Sequence, residues 1–121
     1  MRVEPIGCKI IEKLSSIYFE ILYDYLEQYN NELSEEILEI LDNYMYKVGS
    51  CIEDDPITLG SPTVMVRIFK NPKISVLDET IEIARDINDG DLEDALERFK
   101  LAYIEFLNSE CNEGLYIITP E

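Results

Sequence analysis

The sequence predicts an α+β fold that is mainly helical. Three features point to it: paired amphipathic stretches with a 3.6-residue period, one β-branched and aromatic run that alternates, and a short apolar segment opened by a glycine. The expected architecture is about four helices in two αα-hairpins, with a small antiparallel β-sheet formed by a hairpin and a C-terminal strand. At 121 residues the chain has the length of one domain, so residues 1–121 are read as a single acidic, helix-rich unit. An apolar fraction of 46%, with five glycines and five prolines, is a globular composition.

Residues 8–30 place Ile11, Leu14, Tyr18, Ile21, Leu22, Tyr25 and Tyr29 at helical spacings on one face. Glu12, Glu20, Asp24 and Glu27 lie mostly off that stripe. After "NNEL", Ser34 reads as an N-cap, with Glu35 and Glu36 in the first turn where the helix dipole favours acids. The second helix then runs to Val48, with Ile37, Leu41, Tyr44 and Val48 inward and Gly49 as its stop. So short a link predicts an antiparallel pair. Residues 49–62 hold three acids, two prolines and two glycines and read as a loop.

"TVMVRIF" (63–69) alternates as a strand, with Val64, Val66 and Ile68 on one face and Met65, Arg67 and Phe69 on the other. "KNPK" signals a turn, and "ISVL" (74–77) reads as the returning strand of a hairpin. Lys70, Lys73 and Pro72 in that place fit protection of a sheet edge. Asp78 then reads as the cap of a third helix over 79–88, with Ile81, Ile83, Ala84 and Ile87 inward. Asp91 reads as the cap of a fourth over 92–109, with Leu92, Ala95, Leu96, Phe99, Ala102, Tyr103 and Phe106 inward. "GLYIIT" (114–119) is the final strand. The fourth helix resembles the second helix of a tetratricopeptide repeat at Gly90, Ala95, Phe99 and Ala102. That resemblance spans residues 89–107, with no second copy at a period of about 34, so the pair is read as a generic αα-hairpin.

The chemistry available is narrow. The chain has no histidine and three scattered cysteines. Cys8, Cys51 and Cys111 are therefore expected as reduced, packed thiols of a cytoplasmic protein. Glu4 and Pro5 interrupt the place where a signal peptide has its apolar region, so export is not expected. A transition-metal centre or a histidine-activated nucleophile is disfavoured. "EDD" (53–55) lacks the alternation and glycine of a calcium loop. No phosphate-binding glycine loop or nucleophile elbow occurs. The expectation is a non-enzymatic protein without a cofactor or bound metal.

Charge is the most informative feature. The net charge is −16, and it is segregated: −9 over residues 1–62, +3 over 63–77 and −10 over 78–121. Direct nucleic-acid binding is disfavoured, because it depends on neutralising phosphates with Lys and Arg. Anionic membranes are disfavoured likewise, and no apolar run approaches the roughly 18 residues of a membrane span. A protein partner with a basic surface is the expected ligand. Glu20, Asp24, Glu27, Glu35, Glu39 and Asp42 on the outer sides of the first two helices form the candidate acidic face. The sharpest form of this reading is a nucleic-acid mimic, an inhibitor or regulator occupying a basic nucleic-acid-binding surface, as small viral or mobile-element proteins do. The alternative is a homo-oligomeric structural or adaptor protein assembled through aromatic and aliphatic surface. Tyr23 and Tyr46 fall off the inward stripes, and with Arg67, Lys70 and Lys73 they are the candidates for self-association, a homodimer being the simplest case.

Overall fold

The computed structural model of the protein describes residues 2–4, 9–47 and 64–119. Within them lie four helices and a four-stranded antiparallel sheet, so the fold class is as expected. Helix α1 comprises Lys9–Glu20, a π-helical segment Ile21–Leu26 and a last turn Glu27–Tyr29. Its first half buries Ile11, Leu14, Ile17 and Tyr18 as a 3.6-residue stripe. In the π segment the hydrogen bonds span i to i+5, and the next buried pair is Ile21 and Leu26, five apart. Leu22, Tyr25 and Tyr29, predicted inward, are consequently only half-buried.

Asn30 ends α1 in the left-handed region, at φ 38° and ψ 47°, a conformation that asparagine tolerates. The N-cap of α2, Glu32–Tyr44, is Asn31 and not Ser34. Asn31 Oδ1 accepts from Leu33 N at 3.0 Å and Ser34 N at 3.3 Å. The Asn31 amide in turn donates to Ser34 Oγ at 3.1 Å. Ser34 thus closes a reciprocal capping box from inside the helix. At the other end, α2 stops four residues early. Met45–Lys47 is strand β2, because these residues pair with Ile68, Arg67 and Val66.

Strand β3 is Val64–Ile68, and it buries Val66 and Ile68. Strand β4, Gly114–Thr119, lies where predicted. Strand β1, Arg2–Glu4, was not anticipated and pairs with β4. The order β1–β4–β3–β2 makes β3 an internal strand. Lys70 and Lys73 therefore do not guard an edge. The predicted hairpin return at 74–77 is helix instead: α3 is Ser75–Asp86. Leu77, Ile81 and Ala84 share one buried stripe, and packing at that spacing outweighs the β-propensity of Ile74 and Val76. Asp78 accordingly lies inside the first turn of α3. Helix α4, Gly90–Asn108, is capped by Asp89 and not Asp91, with Asp89 Oδ1 accepting from Leu92 N at 3.0 Å.

Helix α4 is central and runs antiparallel to both neighbours. Arg98 meets Glu20 of α1 at 3.0 Å and Lys13 meets Glu105 at 3.5 Å, while Lys100 meets Asp78 of α3 at 2.5 Å and Arg85 meets Glu93 at 3.0 Å. On its inner side, Phe99, Tyr103 and Phe106 are fully buried against the sheet and α2. There the Tyr44 ring stands edge-on to Tyr103, with centroids 4.5 Å apart. Cys111 is disulfide-bonded, contrary to the expected reduced thiol. Separation along the chain carries no information on proximity in space, which is what a disulfide requires. Cys8, Cys51 and the "EDD" segment lie outside the described residues.

Two stability measurements test this architecture. The Tyr44 hydroxyl donates to the Lys73 carbonyl at 2.5 Å, so Tyr44→Phe removes one hydrogen bond at fixed shape. Urea unfolding should show a loss of about 1–2 kcal/mol. Ser15 is fully buried in α1, and its hydroxyl has no hydrogen-bond partner. Ser15→Ala should therefore stabilise the fold by about 1 kcal/mol in the same assay.

Candidate protein-interaction surfaces

Helix α2 contains Glu32, Glu35, Glu36, Glu39 and Asp42 and no basic residue. The first four are exposed or nearly so, and none takes part in an ion pair among the described residues. Glu32 with Glu36 and Glu35 with Glu39 are like-charge neighbours at i, i+4, each pair opposing the helix by about 0.2–0.5 kcal/mol. Glu32 and Glu35 recover some of that from the positive end of the helix dipole. Lys13, Arg85, Arg98 and Lys100 are all paired on α1, α3 and α4 instead. Thus α2 carries acids alone, whereas α1, α3 and α4 carry both signs.

The six predicted acids divide into two groups. Asp24 and Glu27, at the end of α1, and Glu35 and Glu39, on α2, are exposed. The tight turn at Asn30–Asn31 brings the end of α1 and the start of α2 to one end of the molecule. Glu32 and Glu36 join them, although the sequence had suggested a break at Glu32 and only a dipole role for Glu36. Glu20 and Asp42 are committed internally. Glu20 takes both ends of the Arg98 guanidinium, at 3.0 and 3.2 Å. This contact, with that of Asp94, holds the guanidinium above its usual range. Asp42 accepts from the Tyr18 hydroxyl, tying α1 to α2. Burial raises the Asp42 carboxyl, against the lowering effect of the Tyr18 bond and of Lys47. Burial also raises the Tyr18 hydroxyl, with Asp42 adding to it, so the proton stays on the tyrosine.

A second tyrosine–aspartate contact anchors the far end of α1, where Tyr29 donates to Asp89. That bond, followed by the Leu92 amide, holds Asp89 below the usual carboxylate range. Tyr29 is pushed up to about 12, by burial first and then by Asp89. Both of these aspartates serve structure.

The predicted self-association residues are dispersed. Tyr23 is 53% exposed and stacks on Phe19 at 5.9 Å in the π segment of α1. Tyr46 and Arg67 are cross-strand partners on the outer face of the sheet, where Leu115 stands opposite Arg67 and Ile117 opposite Met65. Leu115 and Ile117 are exposed and were missed, since a six-residue apolar run does not reveal which alternate residues face solvent. Lys70 is used internally: its amide donates to Glu113 at 2.9 Å, and its ammonium lies 4.8 Å from the Phe106 ring centre. Lys73 is exposed, with its carbonyl held by Tyr44. Leu101, the most exposed large apolar side chain among the described residues, was also missed. Its position off the α4 stripe was the available signal.

Among the described residues no group of three His, Cys, Asp or Glu is arranged to hold a metal ion, and no helix is long and apolar enough to cross a membrane. The raised Asp42 carboxyl has a checkable sign. A group raised on folding contributes stability below its unfolded pKa of about 3.9 and loses it as pH rises through the folded value. Asp42→Asn keeps an acceptor for Tyr18 and removes the charge. Its stability at pH 7 should equal or exceed that of the wild type, and the decline above about pH 4 due to this group should vanish from a pH series of urea midpoints. The chain matches no protein-family model, no curated protein and no solved structure.

Proposed function

We propose that this is a non-enzymatic acidic protein that binds a protein partner with a basic surface, using the exposed carboxylates of α2 and the end of α1. One observation carries the reading. Glu32, Glu35, Glu36 and Glu39 stand in like-charge pairs without a compensating base, while Lys13, Arg85, Arg98 and Lys100 are paired with acids on the other helices. An arrangement that weakens its own helix is relieved when cations arrive from outside. Successive turns of α2 set carboxylates about 5.4 Å apart. Phosphates along one nucleic-acid strand recur every 7 Å or so per two nucleotides. The partner surface is accordingly one that binds nucleic acid, and the protein inhibits or regulates by occupying it. The cytoplasmic location expected earlier rested on reduced thiols and on Glu4 and Pro5 interrupting a signal-peptide pattern. The Cys111 disulfide removes the first of these supports, because such bonds persist mainly in oxidising compartments.

The test compares the wild type with a Glu32→Gln, Glu35→Gln, Glu36→Gln, Glu39→Gln variant as baits in native extract. A nucleic-acid-binding protein should be retained by the wild type, released by duplex DNA or raised salt, and held at least about tenfold more weakly by the variant. Equal retention by the variant, or retention indifferent to salt and DNA, would refute the proposal.

A further inference from the structure

Cys111 is disulfide-bonded and half-buried. It stands among the residues that join the end of α4 at Asn108 to the start of β4 at Gly114. The chain holds two other cysteines, Cys8 and Cys51. Two independent registers, one of helices and one of strands, indicate which of them is in reach.

Helices α1 and α4 run antiparallel, with Lys13 opposite Glu105 and Glu20 opposite Arg98. Both pairs fit one register, and counting it back to the residue before Lys9 sets position 8 opposite Glu110. Strands β1 and β4 are also antiparallel, with Arg2 opposite Thr119 and Glu4 opposite Ile117. Counting that ladder on in the same sense sets position 8 opposite Glu113. The two counts come from different layers of the fold, and they bracket Cys111. The link from Glu4 to Lys9 is short, and each residue spans at most about 3.6 Å, so position 8 is held near Cys111 from both sides. A disulfide needs Cα atoms within about 7 Å. Cys51 starts from the wrong place. Met45 of β2 is level with Gly114 through Ile68, and Lys47 is level with Tyr116 through Val66. The chain thus leaves β2 heading away from Cys111, on the sheet edge opposite β1 and with β3 between it and β4.

We propose that Cys111 is bonded to Cys8, and that this bond is a reducible latch holding β1 and the start of α1 to the turn between α4 and β4. The ladder it secures is three residues long. The bond closes a loop of about 100 residues, and a cross-link restricts the unfolded chain more as its loop lengthens. Opening it is thiol–disulfide exchange with a dithiol reductant. A thiolate of the dithiol attacks one sulfur, forming a mixed disulfide and releasing the other cysteine as a thiolate that takes up a proton. The second thiol of the reductant, giving up its proton, then displaces the remaining cysteine. The reductant leaves as a disulfide and the protein keeps two thiols. Strand β1 is then tied by its ladder alone and opens more often from β4. The latch is closed in an oxidising compartment and opens in a reducing one.

Trypsin digestion of the alkylated, unreduced protein tests the pairing, because the three cysteines fall on separate fragments, 3–9, 48–67 and 101–121. Mass spectrometry should find 3–9 joined to 101–121, and 48–67 alkylated and alone. Hydrogen exchange with and without dithiothreitol tests the latch: reduction should quicken exchange in β1 at least about tenfold and leave that of α3 unchanged. In a Cys51→Ser protein, where no other pairing within the chain is available, adding Cys8→Ser should lower Tm by about 10 °C and abolish its response to dithiothreitol. A 48–67 fragment joined to 101–121 would overturn the pairing, as would a Cys8→Ser protein that melts like its Cys51→Ser parent. A Cys8–Cys111 bond whose reduction leaves exchange in β1 unchanged would overturn the latch.

Discussion

Tyr44 is the residue through which the layers of this protein are joined. It is the last residue of α2 and fully buried, and each part of it is used in a different direction. Its ring packs edge-on against Tyr103 and Phe99 of α4. Its carbonyl accepts from the Phe69 amide at 3.1 Å, where β3 ends. Its hydroxyl holds the Lys73 carbonyl just before α3. Tyr103 completes the clamp from the other side by donating to the Phe69 carbonyl at 2.5 Å. The path from β3 to α3 is thus held by tyrosine hydroxyls. Burial pushes the Tyr44 hydroxyl up to about 12 and raises that of Tyr103, so both keep their protons at any physiological pH.

This clamp accounts for the place of the basic stretch at 67–73, which does not guard a sheet edge. Its backbone is held by two tyrosines, and Lys70 is turned onto Phe106. Arg67 alone projects from the middle of the outer sheet face. The charge pattern contrasts α2, whose exposed glutamates enter no ion pair among the described residues, with α4, where Arg98 and Lys100 pair with acids of α1 and α3.

Much of the fold was legible because helical periodicity is a long signal. The inward residues of α4 were read correctly to a residue, as was the span of β4. The errors cluster where a few residues serve two periods at once. Ile74–Leu77 alternates well enough for a strand, and only packing of Leu77 in line with Ile81 and Ala84 makes it helix. Tyr44 to Val48 keeps helical spacing, and the switch to strand at Met45 depends on its partner Ile68, 23 residues on. Ser34 and Asn31 are both good caps, and the first backbone amides decided between them. The acidic face was half visible. Charge could be counted from residues, but the engagement of Glu20 by Arg98 and of Asp42 by Tyr18 required the positions of other helices. Leu101 illustrates the remaining difficulty: an apolar residue off the stripe reads as noise until the helices on either side of it are placed.

The pairing of β1 with β4 has a consequence for the order of events in folding. Arg2 sits opposite Thr119, and Val3 opposite Ile118, so these contacts close a loop of nearly the whole chain. The entropy lost in closing it is greater than for any helix pair in the fold, and a three-residue strand recovers little in return. The α3–α4 pair, by contrast, closes over a short turn with its own cap at Asp89. Local helical pairs form early on such a landscape, and the β1–β4 ladder forms late. It is also the region where amide exchange by local opening should be fastest within the sheet.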